Sequence, residues 1–428
     1  MKRKTEINKK AVVLLIAGFM VFSTIPVIVD ADDENDYVEK RPDLNGIFFD
    51  KVVTILMKLA HFPSLSACII DSNEVVWSKG YGFYDLENEK PSTEHTIHNI
   101  GSISKTITGT ALMQLYERGF FDLDDDVNDY LPFTLRNPNF PDVPITFRML
   151  LSHSSGLAPE ILIDDYHPWY WFNFSDDPPF SFYPYPWIID YLTPGGKWYD
   201  PPFYGYWNPE NPPGEYHIYA NINFDIVAYL VEILSGESFL DYCNEHILLP
   251  LEMCNTSFNL SNLNIDNVAI PYYYSDGEYL TIDTLPGFAD SKYHRILHYP
   301  VGGLYTTVID LSHFLIAHMN GGVYKGIRIL EKETVMEMHK IQPPDFDDSQ
   351  TTDYGLAWVE MEYSFCKEKL SGHNGGNFGV WTFMYYPCLY NDTGVIFFVN
   401  NLPNTETLFS NVASMILFNI LCLKALEI

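Results

Sequence analysis

Ile100-Gly101-Ser102-Ile103-Ser104-Lys105-Thr106 opens an apolar run through Ile107, Ala111, Leu112 and Leu115 that stops before Gly119. That spacing predicts a buried helix, with the glycine as its stop signal. Residues three apart on a helix share a face, so Ser102 and Lys105 would point into one space. A serine hydroxyl becomes a useful nucleophile only when a neighbouring base takes its proton. A lysine can be that base where burial and neighbours depress its pKa. The helix N-terminus adds a positive field that favours a developing alkoxide. Ser-x-x-Lys also arises as an exposed pair on an ordinary helix, so the rest of the chain has to decide.

The chain has 428 residues, enough to bury a large core. Hydrophobic residues at 47% against charged residues at 19% place it among globular proteins. Asp and Glu number 56 against 25 Lys and Arg, a formal net charge of -31. So acidic a surface repels phosphate backbones and anionic membranes, which argues against nucleic-acid or membrane-surface partners.

Lys2, Arg3, Lys4, Lys9 and Lys10 precede an apolar run from Ala11 to about Val29, and Val29-Asp30-Ala31 follows. This reads as an export signal over residues 1–31, with an uncleaved membrane anchor as the alternative. Either places the rest of the chain outside the cytoplasm, secreted or anchored. Six cysteines suit that compartment: Cys366 with Cys388 and Cys243 with Cys254 are candidate pairs, and free buried thiols are the alternative. No Cys-x-x-Cys or His-Glu-x-x-His spacing occurs, so neither metal nor cofactor is expected.

Taken in order, residues 43–60 carry apolar positions at helical spacing. Ser66–Asp71 and Val75–Phe83 read as a hairpin. Ile145–Leu151 reads as a helix, followed by a Ser/Gly turn in which His153 is expected to bond the backbone and not to act as a base. Residues 164–213 are rich in aromatics and proline, either an insertion packed on itself or an aromatic wall over a pocket. Tyr219-Ala220-Asn221 precedes a helix over Ile222–Leu234 with Gly236 as its cap, and Asn221 is a candidate N-cap. A helix is expected from Asp310 to Met319. Cys366–Ser371, Val380–Tyr386 and Gly394–Asn400 are strand-like, with the glycine-rich Gly372–Gly379 between the first two. Leu408–Leu426 is apolar enough for a helix buried against a sheet.

Together, Ser102-Ile-Ser-Lys105, Tyr219-Ala-Asn221 and His373-Asn-Gly375 resemble the three ordered motifs of the serine β-lactamase and penicillin-binding-protein superfamily. Leu151-Ser-His-Ser-Ser-Gly-Leu157, Gly302-Gly-Leu304 and Tyr354-Gly-Leu-Ala-Trp358 are similar to its secondary landmarks. The likeness is greatest to the class C β-lactamase branch, which also holds esterases and D-amino-acid peptidases, and it covers residues 43–426. The fold implied is α/β, β-lactamase/transpeptidase-like. An antiparallel sheet would be built from the N- and C-terminal parts, with flanking helices, a mostly helical region and the insertion at about 164–213.

The resemblance implies that Ser102 attacks a carbonyl and becomes acylated, while Lys105 and Tyr219 share its proton. Asn221 would bond Lys105 or the substrate amide. The backbone N–H groups of Ser102 and Gly376 would form an oxyanion hole, with Gly375 and Gly376 letting the strand approach the substrate. His373 stands where Lys-Thr-Gly is the commoner motif, so a fixed positive charge is replaced by a titrating one. Substrates without a carboxylate should be preferred at neutral pH, and carboxylate-bearing ones should gain toward about pH 6. The function implied is an exported serine hydrolase acting on a small-molecule or peptide ester or amide, esterase or D-amino-acid peptidase-like ahead of a dedicated penicillinase. The alternative is a catalytically silent relative that binds peptide or glycan in the same cleft.

Overall fold

The computed structural model describes residues 47–157, 209–284, 298–344, 352–363, 368–387, 393–401 and 408–426, with Ile188, Ile189, Leu192, Thr193, Gly195, Gly196, Trp207, Lys292 and Tyr293. All of them belong to the unit Leu44–Ile428. The basic and apolar N-terminal segment, most of the 164–213 stretch, Cys366 and Cys388 lie outside the described residues.

Nine α-helices are described: α1 Ile47–Ala60, α2 Ser104–Glu117, α3 Phe147–Leu151, α4 Ile222–Ser235, α5 Phe239–Cys243, α6 Tyr299–Gly302, α7 Val308–Met319, α8 Lys332–His339 and α9 Leu408–Leu426. The main sheet has eight strands: β1 Ser64–Asp71, β2 Glu74–Asp85, β3 Lys90–Pro91, β4 Thr352–Tyr354, β5 Val359–Tyr363, β6 Glu368–Asn377, β7 Val380–Pro387 and β8 Thr393–Val399. Their order across the sheet is β4-β5-β6-β7-β8-β1-β2-β3, and every pairing is antiparallel. The sheet therefore joins early chain to late chain at the β1–β8 seam, where Leu65 opposes Val399 and Asp71 opposes Thr393. This is the α/β architecture expected from the motifs.

Alternation along the strands assigns the two faces. On β8, Ile396 and Phe398 enter the main core with Phe314 and Leu315 of α7. Phe397 points the other way and meets Phe418 of α9 at 5.8 Å between ring centres. The helices α1 and α9 meet on that second face, where the Lys424 ammonium lies 4.7 Å from the Phe49 ring centre. In the β1–β2 turn both Ser72 and Asn73 take positive φ, at 48° and 68°, the mirror-image turn that suits a two-residue hairpin.

Helix α2 runs through the main core, and every residue from Ser104 to Leu115 is buried. Its hydroxyls stay satisfied: Thr106 donates to Ile103 O at 2.8 Å and Thr108 to Pro300 O at 2.7 Å. Gly109 allows the Tyr354–Trp358 segment to lie against the helix, since a Cβ there would sit 2.3 Å from the Ala357 methyl. No helix among the described residues is long and apolar enough to cross a membrane.

One helix boundary is corrected. Helix α7 begins at Val308 and not at Asp310, because Thr307 is its N-cap, accepting from Asp310 N at 3.0 Å. Asp310 is the third helical residue, as in a capping box. The glycine-rich stretch Gly372–Asn377 forms the later part of β6, the strand edge that the motifs implied. Of the two alternatives for Cys243 and Cys254, the free one holds: both are free thiols, and Cys68 is likewise free.

Candidate active site

The site is assembled where the start of α2 meets the end of β6. A 3₁₀ turn, Gly101–Ile103, leads into α2 and carries Ser102 at a half-buried position. Gly101 has φ +52°, and a Cβ there would lie 2.9 Å from Gly376 N. The turn is pinned from several sides. Ser104 Oγ donates to Gly101 O at 2.7 Å, Leu304 N donates to Ser104 Oγ at 3.1 Å, and Thr382 Oγ1 donates to Ile100 O at 2.8 Å.

Lys105 is fully buried, and its Nζ donates to Ser102 Oγ at 3.0 Å and to Val301 O at 2.7 Å. The same amine lies 5.0 Å from the centre of the Tyr219 ring. Ser102, Lys105 and Tyr219 are thus drawn together from positions 102, 105 and 219, as the motifs implied. Asn221 occupies the N-cap position of α4, but its side chain makes no capping bond, contrary to the capping alternative.

Strand β6 pairs with β7 from Leu370 to Asn377 but with β5 only as far as Gly372. From His373 to Asn377 its other edge has no strand neighbour among the described residues, and this stretch meets the Gly101–Ile103 turn. Gly375 is required there, because a Cβ would fall 1.9 Å from Ile100 O. Gly376 and Asn374 are exposed, while His373 and Gly375 alternate with them and are buried. The backbone of Gly376 is therefore presented to solvent beside the Ser102 turn.

His373 Nδ1 donates to its neighbour's carbonyl, Asn374 O, at 2.6 Å. Burial, aided by the Lys105 charge, lowers its pKa to about 3. At that value the imidazole would be neutral at pH 6, against the gain of positive charge expected near that pH. A residue's ordinary pKa is readable from its type; its desolvation is not.

His153 is a residue whose contribution was underrated. Its ring lies 4.3 Å from that of Tyr219. Its Nδ1 accepts from Ala220 N at 3.3 Å, and its carbonyl accepts from Ile218 N at 2.7 Å. It bonds the backbone, as expected, but the backbone is that of the Tyr219 loop. Burial and the Lys105 charge hold its pKa well below the ordinary histidine value. Tyr354 and His217 extend this cluster, with the Tyr354 ring 5.4 Å from His153 and 5.5 Å from His217. Among the described residues no group of three metal-ligating side chains occurs.

An eight-stranded antiparallel sheet with helices on both faces, and a Ser-Lys pair starting the buried helix, is the β-lactamase/transpeptidase-like fold. A sequence model of the Beta-lactamase family matches residues 49–415, and the chain belongs to that family. It is 24% identical over 310 residues to Protein flp of Staphylococcus aureus (strain N315), covering 72% of this chain and 55% of the relative. It is 26% identical over 352 residues to Penicillin-binding protein 4* of Bacillus subtilis (strain 168), covering 78% of this chain and 68% of the relative. The chain thus spans about half the length of the first of these. The D-amino acid amidase of Ochrobactrum anthropi SV3, complexed with L-phenylalanine amide, shares the fold with a TM-score of 0.66 at 19% identity, covering 88% and 99% of the two chains.

Proposed function

We propose that this protein is a serine hydrolase that forms an acyl-enzyme on Ser102 and hydrolyses an ester or amide outside the cytoplasm. The observation that carries the reading is the 3.0 Å bond from the fully buried Lys105 amine to Ser102 Oγ. Proton transfer requires that contact, and a serine outside such a pair has no nearby base. Lys105 and Tyr219 take the serine proton as its oxygen bonds to the substrate carbonyl carbon. The leaving alcohol or amine receives a proton, and water then cleaves the acyl-serine ester. Ser102 N–H and Gly376 N–H receive the oxyanion, a contribution of about 3–4 kcal/mol per donor in comparable sites. Asn221 orients the substrate amide.

The neutral His373 favours substrates without a carboxylate, so esterase or D-amino-acid peptidase-like chemistry fits better than dedicated penicillin cleavage. The basic and apolar segment ahead of Ala31 supports export, and a mature N-terminus near Asp32 in the secreted fraction tests it.

The test of the chemistry is an alkyl fluorophosphonate added to the full chain, followed by peptide mass mapping. A phosphonyl adduct on Ser102, absent in Ser102→Ala, supports the enzyme. No adduct on Ser102 with this probe or with a chromogenic β-lactam means a silent cleft that only binds. A panel of short and long esters, D- and L-aminoacyl amides and that β-lactam then narrows the substrate class.

A further inference from the structure

Among the ion pairs of the described residues, only Asp225–His298 has both side chains wholly enclosed. His298 Nδ1 donates to Asp225 Oδ2 at 2.6 Å. The other carboxylate oxygen, Oδ1, is buried with no hydrogen-bond partner among the described residues. A carboxylate withdrawn from water is costly, and here one imidazole N–H compensates it. Such pairs are weak sources of stability and better suited to specifying how two elements register. The two elements joined here are those that surround Lys105.

Asp225 lies in the first turn of α4, one turn beyond Asn221 and just after the Tyr219 loop. His298 immediately precedes α6, a single turn whose carbonyls are taken up by the catalytic layer. Pro300 O accepts from Thr108 Oγ1 at 2.7 Å, Gly302 O from Asn99 Nδ2 at 3.0 Å, and Val301 O from Lys105 Nζ at 2.7 Å. An amine that commits one hydrogen to a fixed carbonyl has its rotation about the Cε–Nζ bond fixed. The position of Val301 O therefore decides which direction of Nζ faces Ser102 Oγ. The Tyr219 ring, 5.0 Å from the same nitrogen, approaches from the α4 side.

We infer that the buried Asp225–His298 pair is a positioning device for the Ser102–Lys105 couple: it clamps α6 to α4, and so holds the Val301 carbonyl and Tyr219 in register around the Lys105 amine. This rests on the acyl-enzyme reading above. Neither residue touches the reacting atoms. Their effect is on the rate of bond formation at Ser102 and not on the binding of the reagent, because misplacing reacting groups by about 1 Å costs on the order of a hundredfold.

The experiment measures labelling of the full chain by an alkyl fluorophosphonate, with kinact and KI resolved separately. It compares wild type, His298→Leu, His298→Asn and Asp225→Asn. The leucine variant should lower kinact by about 10- to 100-fold while KI stays within about twofold. Asparagine, whose amide N–H takes the place of Nδ1–H, should recover kinact to within about threefold of wild type. Labelling of His298→Leu at the wild-type rate overturns the inference. So does a change confined to KI or to the labelled fraction, or an asparagine variant as slow as the leucine one. If the leucine variant loses its cooperative melt, Asp225→Asn decides: its kinact should fall by about 3- to 10-fold, as the bond loses its charge assistance. An unchanged kinact there overturns the inference as well. Wild type that takes no label at Ser102 instead removes the acyl-enzyme reading, and this inference with it, before any variant is compared.

Discussion

The contacts of Lys105 that bear on the chemistry are those to Ser102 Oγ, Val301 O and the Tyr219 ring. Replacing it with glutamine should leave a folded protein whose Ser102 labelling by a fluorophosphonate is about 10²- to 10⁴-fold slower, the usual worth of a positioned base. Wild-type labelling in that variant would exclude Lys105 as the base. At His373 the prediction concerns pH. With its pKa lowered to about 3, the imidazole stays neutral across roughly pH 5.5–8, so the kcat/KM ratio for matched acidic and neutral esters should be flat there. His373→Lys should raise the acidic ester's share throughout that window. A ratio that climbs for the acidic ester as wild type passes through pH 6 would mean a charged imidazole. The Ser102–Lys105 pair was legible in sequence because helical geometry alone puts residues three apart together. Asp225 and His298 were not, since nothing local connects two residues that far apart.

The end of β6 is the element on which the site's shape depends. Gly375→Ala would drive a methyl to 1.9 Å from Ile100 O, so the strand has to retreat from the Ser102 turn. The expected result is a loss of about 1–3 kcal/mol in urea unfolding, the range for overpacking, together with slowed labelling of Ser102. Labelling at the wild-type rate would show that this strand edge does not shape the site. Hairpins and helices with strong periodicity were readable in sequence: β1–β2, α4 with its Gly236 cap, and α9 stand where they were expected. Gly372–Asn377 carries no strand signal of its own, because glycine is intrinsically poor in strands. Its reason for being there is the carbonyl of Ile100, remote along the chain, and such close approaches leave no local signal. The start of α7 was misplaced because the apolar Val308 and Ile309 carry no polar marker, whereas Thr307 one step earlier does.

At the scale of the whole molecule, burial keeps several histidines neutral. His98 and His373 are lowered to about 3, and His153 and His318 well below their ordinary value, with desolvation the leading cause each time. Below about pH 6.5 the unfolded chain takes up protons that these native sites refuse, so stability falls as pH drops. At pH 5.5 the loss is on the order of 1 kcal/mol for each such histidine. A urea midpoint that is the same at pH 7.5 and 5.5 would show that these rings are not held neutral. The β1–β8 seam acts on a different clock. Ribosomes add about 5–20 residues per second, so on the order of half a minute separates the making of Asp71 from that of its partner Thr393. Throughout that interval β1 has one edge unclaimed, and contacts so distant along the chain make for slow folding. Nascent chains that stall short of β8 should carry Ser102 yet take no fluorophosphonate in cell-free translation, while released full-length chains label. Competence would then arrive in one step, with the last strand to be synthesised.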